Sequence, residues 1–325
     1  MKILITGVAG FLGFEVLKKL AEKEHLIHGL DVIKNIKLDN EFSEFINMNI
    51  NNFKYKVLNV NNGNDILDLD KDYDLILHFA GILGVENVSE YPFKTLYENS
   101  HMCYNILELA KNQKKLKKFF FTSTSEVYAG TNENFNLTFP TPENSPLSIS
   151  DLNENRTSYM LSKIWCEALI KYSNIPYYIF RPHNLYGPRM GMRHVIPQLL
   201  KKISLNVNNV LEVFSPNHTR AFCFIDDAVK FIEICIDRFD NSGSRTFNLG
   251  NSHEEISMYE LSKLMLNLLN KNLHIKKMEA TIGSPHRRCP DMKKLEKFTN
   301  YSPNIDLKNG ILKTFDWYKK NEFLK

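Results

Sequence analysis

The chain opens with Lys2-Ile3-Leu4-Ile5-Thr6, an apolar run that meets Gly7-Val8-Ala9-Gly10-Phe11-Leu12-Gly13 and then an amphipathic stretch over 11–23. A short apolar run, a G-x-x-G-x-x-G segment and a helical period, in that order, predict a strand, a tight turn and a helix. Glycine suits the turn because backbone amides must approach a bound anion without Cβ atoms in the way. The amides of Phe11, Leu12 and Gly13 would open the helix, where the dipole favours the pyrophosphate of a dinucleotide. Further apolar runs at 26–32, 55–60, 75–80, 118–122 and 177–181 alternate with helical segments, the longest at 92–111 and 157–173. Such alternation predicts an α/β fold, a Rossmann-type doubly wound parallel sheet.

Beyond Arg181 the alternation loosens into a turn at 182–188, helical pieces near 195–203 and 226–238, and a last segment with Trp317. We therefore expect a dinucleotide-binding domain over 1–181, to which segments after 220 can return. A smaller C-terminal α/β domain over 182–325 would complete the pocket. The stretch 131–155 is rich in Asn, Pro, Ser and Thr without helical period, and is read as a loop over the site.

Composition narrows the partners. With 43% hydrophobic and 24% charged residues, the 325-residue chain is an ordinary globular protein. Its net charge of +4 is carried by scattered lysines, which suits an anionic substrate but not nucleic acid. Five dispersed cysteines with no C-x-x-C pair predict reduced thiols in a cytoplasmic protein and no metal site. Glycines, Glu15 and lysines interrupt the apolar start, so no membrane span is expected there.

Two positions refine the cofactor. Asp31 closes the second run, where a carboxylate accepts both ribose hydroxyls and repels a 2′-phosphate, favouring NAD over NADP. Asn59 ends the third and reads either as an adenine contact or as a turn residue. A chemical centre follows: Thr124-Ser125-Glu126, then Tyr159 and Lys163. On a helix the i, i+4 spacing puts phenol and ammonium on one face. An ammonium stabilises a neighbouring phenolate, and such a pair can serve as a base.

These residues, with His78-Phe79-Ala80-Gly81, Asn99, 181–188, Thr219-Arg220-Ala221-Phe222, Asn248-Leu249-Gly250-Asn251 and Arg287-Arg288-Cys289-Pro290-Asp291, resemble the extended short-chain dehydrogenases that modify nucleotide sugars, the NAD-dependent epimerase/dehydratase family, over nearly the whole chain. The resemblance implies that hydride leaves C4 of the sugar for NAD, giving a 4-keto intermediate. Thr124 would bond the 4-hydroxyl, Tyr159 remove its proton and Lys163 hold the nicotinamide ribose. Ala80, Gly81 and Asn99 would line the cofactor side. Asn184 would contact the diphosphate or sugar, Arg220 and Arg288 would neutralise the diphosphate, and 191–198 would cover the base of a nucleotide sugar, UDP-linked by preference. A homodimer through the helices at 92–111 and 157–173 is also implied, their outward faces carrying Leu96, Met102, Ile106, Met160, Ile164 and Leu169 unless these are core.

The resemblance also ranks the reactions. Ser125 replaces the aspartate of a Thr-Asp-Glu dehydratase segment, which disfavours 4,6-dehydration. Thr-Ser-Glu is the segment of nucleotide-uronate decarboxylases, whose closest likeness here is UDP-glucuronate decarboxylase, with 4-epimerisation nearly level. Ser125 would orient the C6 carboxylate, and Glu126 the 3-hydroxyl or a proton for C5. His183 and Arg193 are candidates for sensing that carboxylate, or serve the nucleotide or the fold. The segment 187–194 looks shorter than the matching decarboxylase loop.

Overall fold

In the computed structural model, which describes residues 1–34, 40–206, 208–238, 243–281 and 283–323, the apolar runs become strands. They are β1 (Lys2–Thr6), β2 (Leu26–Asp31), β3 (Phe53–Val57), β4 (Leu75–His78), β5 (Lys118–Thr122) and β6 (Tyr177–Pro182). The sheet runs β3-β2-β1-β4-β5-β6, with Arg245–Leu249 beyond β6. Neighbours from β3 to β6 are parallel. Strand order reverses between β1 and β4, where Thr6 pairs in register with His78, so the ligand crevice of such a sheet falls at their carboxyl ends.

Strands buried on both faces read as continuous apolar runs rather than alternating ones. Leu4, Ile76, Phe119, Phe121 and Ile179 point into one core layer with Met102, Cys103 and Ile106 of one long helix and Cys166 and Ile170 of the other. In chain order the helices are α1 (Phe11–Ala21), α2 (Asn40–Met48), α3 (Gly63–Leu67), α4 (Val85–Glu90), α5 (Pro92–Lys111), α6 (Ala129–Asn134) and α7 (Thr157–Tyr172). Met102, Ile106 and Met160 are thus core residues, and Leu169 packs on that core. The faces that α5 and α7 leave exposed carry Phe93, Tyr97, Tyr104, Trp165 and Tyr172 instead.

Three local expectations need correction. β3 begins at Phe53 and ends at Val57; Leu58 N still donates to Asp31 O at 2.8 Å, and beyond it the chain leaves β2 while Leu58 and Val60 pack into the core. Asn59 is therefore outside the strand. Its carbonyl accepts from Asn62 N and its Oδ1 from Asn61 N, the geometry of a turn residue. Residues 131–134 are the end of α6 rather than loop: the Thr131 hydroxyl is used by Pro146 O and Ser148 N, which anchors a turn of poor helix formers.

The chain divides into two units: Met1–Asn136, Pro146–Arg181 and Val229–Phe247 form the first, and Leu137–Ser145, Pro182–Ala228 and Asn248–Lys325 the second. In the second unit Thr219–Ala221 pairs with Glu255–Ser257 on one side and Arg287–Arg288 on the other. Helices Val195–Ser204, Met258–Leu268 and Leu307–Tyr318 belong to it. The segment Leu137–Ser145 joins it through Thr141, whose N–H donates to Cys289 O and whose carbonyl accepts from Asp291 N, both at 2.8 Å.

Candidate active site

The glycine turn is built by close approach. Gly7 adopts φ +69°, and a Cβ there would stand 2.6 Å from Ala80 N; a Cβ on Gly13 would stand 2.2 Å from Gly7 O. Gly7 N donates to Leu30 O at 2.8 Å, tying the turn to β2. Gly10 is the N-cap of α1, with neither a side-chain cap nor an acidic residue in the first turn, which leaves leading amides for an anion.

Across the strand-order reversal, Thr6 Oγ1 accepts from Ala80 N at 3.3 Å and meets His78 Nδ1 at 2.7 Å. Burial, with the Lys163 ammonium nearby, pushes His78 down to about 3, so it is a neutral hydrogen-bonding group at any physiological pH. Asp31 is largely buried at the end of β2; Oδ2 accepts from Ala9 N at 3.0 Å and Oδ1 from Ile33 N at 3.3 Å. Burial raises its carboxyl above the usual value despite these bonds. Each oxygen keeps a second lone pair for a ribose hydroxyl. Uncapped amides, a glycine turn too tight for Cβ atoms and a carboxylate at the second strand end fit a dinucleotide.

Lys163 is fully buried, and its Nζ donates to Thr122 O at 2.9 Å. It stands 4.8 Å from the Phe121 ring centroid and 5.9 Å from that of Tyr159. Burial pulls the ammonium below its ordinary value. A Cβ on Gly81 would lie 3.4 Å from that Nζ and 3.6 Å from Asn99 Oδ1, so glycine here keeps the ammonium's surroundings open. The Asn99 amide is committed to the backbone: Oδ1 accepts from Ile82 N at 2.7 Å and Nδ2 donates to Ile82 O at 3.0 Å. Nδ2 also reaches Ser162 Oγ. Asn99 thus fixes the strand-four loop to α5 and α7, one step behind the cofactor side.

Thr124 is the N-cap of a short 3₁₀ turn over Ser125–Tyr128, and its Oγ1 accepts from Glu126 N at 3.2 Å. A hydroxyl that accepts from the backbone still has its hydrogen to donate. Ser125 is buried, while Tyr159 on α7 is half-buried. Beneath the turn, Arg181 donates to both oxygens of Glu167 at 2.8 and 2.7 Å and to Tyr128 Oη at 2.8 Å. Sequence reading missed Arg156, whose Nη2 lies 3.2 Å from Glu126 Oε1. The only available signal was its place one helical turn before Tyr159.

In the second unit, the parallel register sets Arg220 beside Arg288. Arg287 instead makes a two-pronged pair with Glu255, at 2.8 Å to each oxygen. Arg220 Nη1 donates to Thr219 O at 2.7 Å. Arg220 Nη2 donates to Ser284 Oγ at 2.9 Å, and Asn184 Nδ2 to Ala221 O at 3.2 Å. Arg193 is exposed in the turn ahead of Val195–Ser204; that helix takes up part of the expected 191–198 loop. His183 is buried, with Nε2 3.2 Å from Asn248 Oδ1. Asn248 Nδ2 in turn bonds Thr141 O and Asp291 O. Among the described residues no cluster of His, Cys, Asp or Glu could hold a metal ion, and no helix is long and apolar enough to cross a membrane.

A doubly wound sheet with a glycine turn at its reversal point and a Thr, Tyr and Lys beyond β5 defines a dinucleotide-dependent enzyme of the short-chain dehydrogenase kind. Residues 3–250 match the NAD dependent epimerase/dehydratase family, and the chain belongs to that family, with NAD as cofactor. It is 28% identical over 333 residues to a UDP-N-acetyl-alpha-D-glucosaminuronate decarboxylase of Bacillus cytotoxicus, covering 99% of this chain and 98% of the relative. UDP-glucuronic acid decarboxylase 3 of Arabidopsis thaliana is 28% identical over 327 residues, covering 96% and 87%. A solved UDP-glucuronic acid 4-epimerase variant of Bacillus cereus, bound to NAD and a fluorinated UDP-glucuronic acid, shares the fold at TM-score 0.84 and 24% identity, covering 98% of this chain and 99% of that one.

Proposed function

We propose that the chain oxidises C4 of a UDP-linked sugar and, with a uronate, releases the C6 carboxylate as carbon dioxide. The observation that carries this reading is the Thr124-Ser125-Glu126 turn facing α7, in a chain whose full-length relatives include two uronate decarboxylases. Arg220 and Arg288 would hold the diphosphate, with Asn184 beside them. Asp31 and the amides at 7–13 would hold the cofactor, with Ala80 and Gly81 alongside.

Bound NAD supplies the acceptor for the C4 hydrogen. Thr124 would donate to O4 while its own Oγ accepts from Glu126 N, fixing the hydroxyl's direction. Tyr159 would take the O4 proton, and Lys163, sequestered from water, would stabilise the phenolate. Once C4 is a ketone, the C6 carboxylate is that of a β-keto acid, and its C–C bond breaks readily. Ser125 would orient that carboxylate, and Glu126 would act at O3 or help deliver the proton that C5 takes up as carbon dioxide leaves. Return of the hydride to C4, with the proton going back from Tyr159 to O4, would then give the UDP-pentose and leave NAD as it began.

The test is incubation of the NAD-loaded protein with UDP-glucuronate, followed by mass and proton NMR. Carbon dioxide and a UDP-pentose are expected. An unchanged mass with a new C4 proton coupling would replace decarboxylation with 4-epimerisation.

The exposed stacks Phe93–Tyr97 and Tyr97–His101, with Trp165 and Tyr172, support a homodimer through α5 and α7. Apolar surface of this kind on adjacent helices marks an interface. Five buried free cysteines support a reducing, cytoplasmic setting. Sedimentation of wild type and Tyr97→Glu should give dimer and monomer; a monomeric wild type would refute the assembly.

A further inference from the structure

Arg156 has no role in the mechanism above, yet it is the only arginine in the first 180 residues of a lysine-rich chain. It immediately precedes α7, three residues before Tyr159, so its side chain lies one helical turn ahead of the phenol on the same side. Its partner Glu126 lies two residues beyond Thr124 on the 3₁₀ turn. The Arg156–Glu126 pair therefore bridges the two segments that carry the proton-transfer groups.

The pair is ill-suited to a structural task. Side-chain exposures of 29% and 21% leave both partners within reach of solvent, and such an ion pair contributes little stability. The buried Arg181, paired with Glu167, already holds the turn through Tyr128 Oη at 2.8 Å. A guanidinium has five N–H donors in a planar fork and can serve two carboxylates at once.

Substrate geometry determines where a second carboxylate would lie. C6 is two bonds from C4, so a sugar with O4 between Thr124 and Tyr159 must carry its C6 substituent close to the same turn. Glu126 alone would repel a charge there. A neutral hexose needs no cation at that place; a hexuronate does.

We infer that Arg156 is the specificity-determining residue for a carboxylate at C6, its guanidinium bridging Glu126 and the sugar carboxylate. The inference rests on the C4-oxidising, nucleotide-sugar reading of the site, but not on which product leaves.

The test is calorimetric affinity of the NAD-loaded protein for UDP-glucuronate and UDP-glucose, in wild type, Arg156→Gln and Arg156→Lys. A lost hydrogen bond to a charged group corresponds to about a tenfold or larger change in affinity. Wild type should favour the uronate by at least that factor. Arg156→Gln should erase or invert the preference while affinity for UDP-glucose moves far less, and Arg156→Lys should restore part of it. A wild type without preference, an unaltered ratio in Arg156→Gln, or an equal loss for both ligands would overturn the inference. The reading of the reaction fails separately: a changed ratio without carbon dioxide release keeps Arg156 as the charge reader and discards decarboxylation.

Discussion

Replacing Glu167 by Gln should damage both stability and catalysis, through the guanidinium it leaves behind. Arg181 is 2% exposed and Glu167 1%, joined by two hydrogen bonds with a third from Arg181 to Tyr128. Removing one partner of such a pair strands a charge in a medium that cannot solvate it, at a cost of about 3–5 kcal/mol. At roughly 2–4 °C per kcal/mol, Tm should fall by about 10 °C. The double variant Glu167→Leu with Arg181→Met removes both charges and should lose far less, about 1 kcal/mol for the Tyr128 hydroxyl left a donor short. Urea unfolding followed by circular dichroism would give both values. A single-variant loss under about 1 kcal/mol, or a double as damaged as the single, would refute the reasoning.

The same pair predicts an acid limb. Burial alone would push the Glu167 carboxyl up, but the Arg181 hydrogen bonds and charge, helped by Lys171, hold it below its ordinary 4.5. A carboxyl depressed in the folded state contributes stability that is present above its unfolded value and lost as pH falls through the folded one. The stability difference between wild type and Glu167→Gln should therefore be full above about pH 4.5 and shrink below it. Because Glu167 lies one turn beyond Lys163 and Tyr128 two residues beyond Glu126, kcat should fall with stability. Activity at a temperature where the variant is fully folded separates the two effects.

Three further outcomes follow from the site. Gly13→Ala places a Cβ 2.2 Å from Gly7 O, so it should abolish NAD binding, measured by cofactor retained after gel filtration. Tyr159→Phe should lower kcat by about 100-fold or more while nucleotide-sugar affinity holds, and wild-type turnover would remove the phenol from the proton path. Arg288→Ala should raise KM about tenfold or more if its guanidinium holds the diphosphate, and an unchanged KM would remove it from that role. Arg287→Ala, which breaks the Glu255 pair, should leave KM nearly unchanged.

Much of this was legible in the chain because the deciding interactions are local. The glycine turn is written in seven consecutive residues, and Tyr159 and Lys163 fall on one helix face by spacing alone. Helix α5 has the bounds its pattern implied, from Pro92 to Lys111. The boundaries that failed depend on distant partners. Asn59 looks like a strand end because Leu58 and Val60 are apolar, but beyond Leu58 the chain leaves β2 while both side chains pack into the core. Met102 and Ile106 carry the same residue types as an interface and a core alike, and only the sheet beneath α5 distinguishes the two.

The sequence by itself determined the alternation of strands and helices, the place of the dinucleotide turn and the order of Thr124, Tyr159 and Lys163, since each follows from backbone geometry within a few residues. Tertiary structure decided which arginine pairs with which carboxylate. Arg287 and Arg288 are adjacent in the chain, yet strand register gives one to Glu255 and sets the other beside Arg220. Arg156 likewise acquires its meaning from Glu126, thirty residues away. A side chain's charge is a property of the sequence, but its partner depends on which segments the fold brings within a few ångströms, where electrostatic interactions are strong enough to matter.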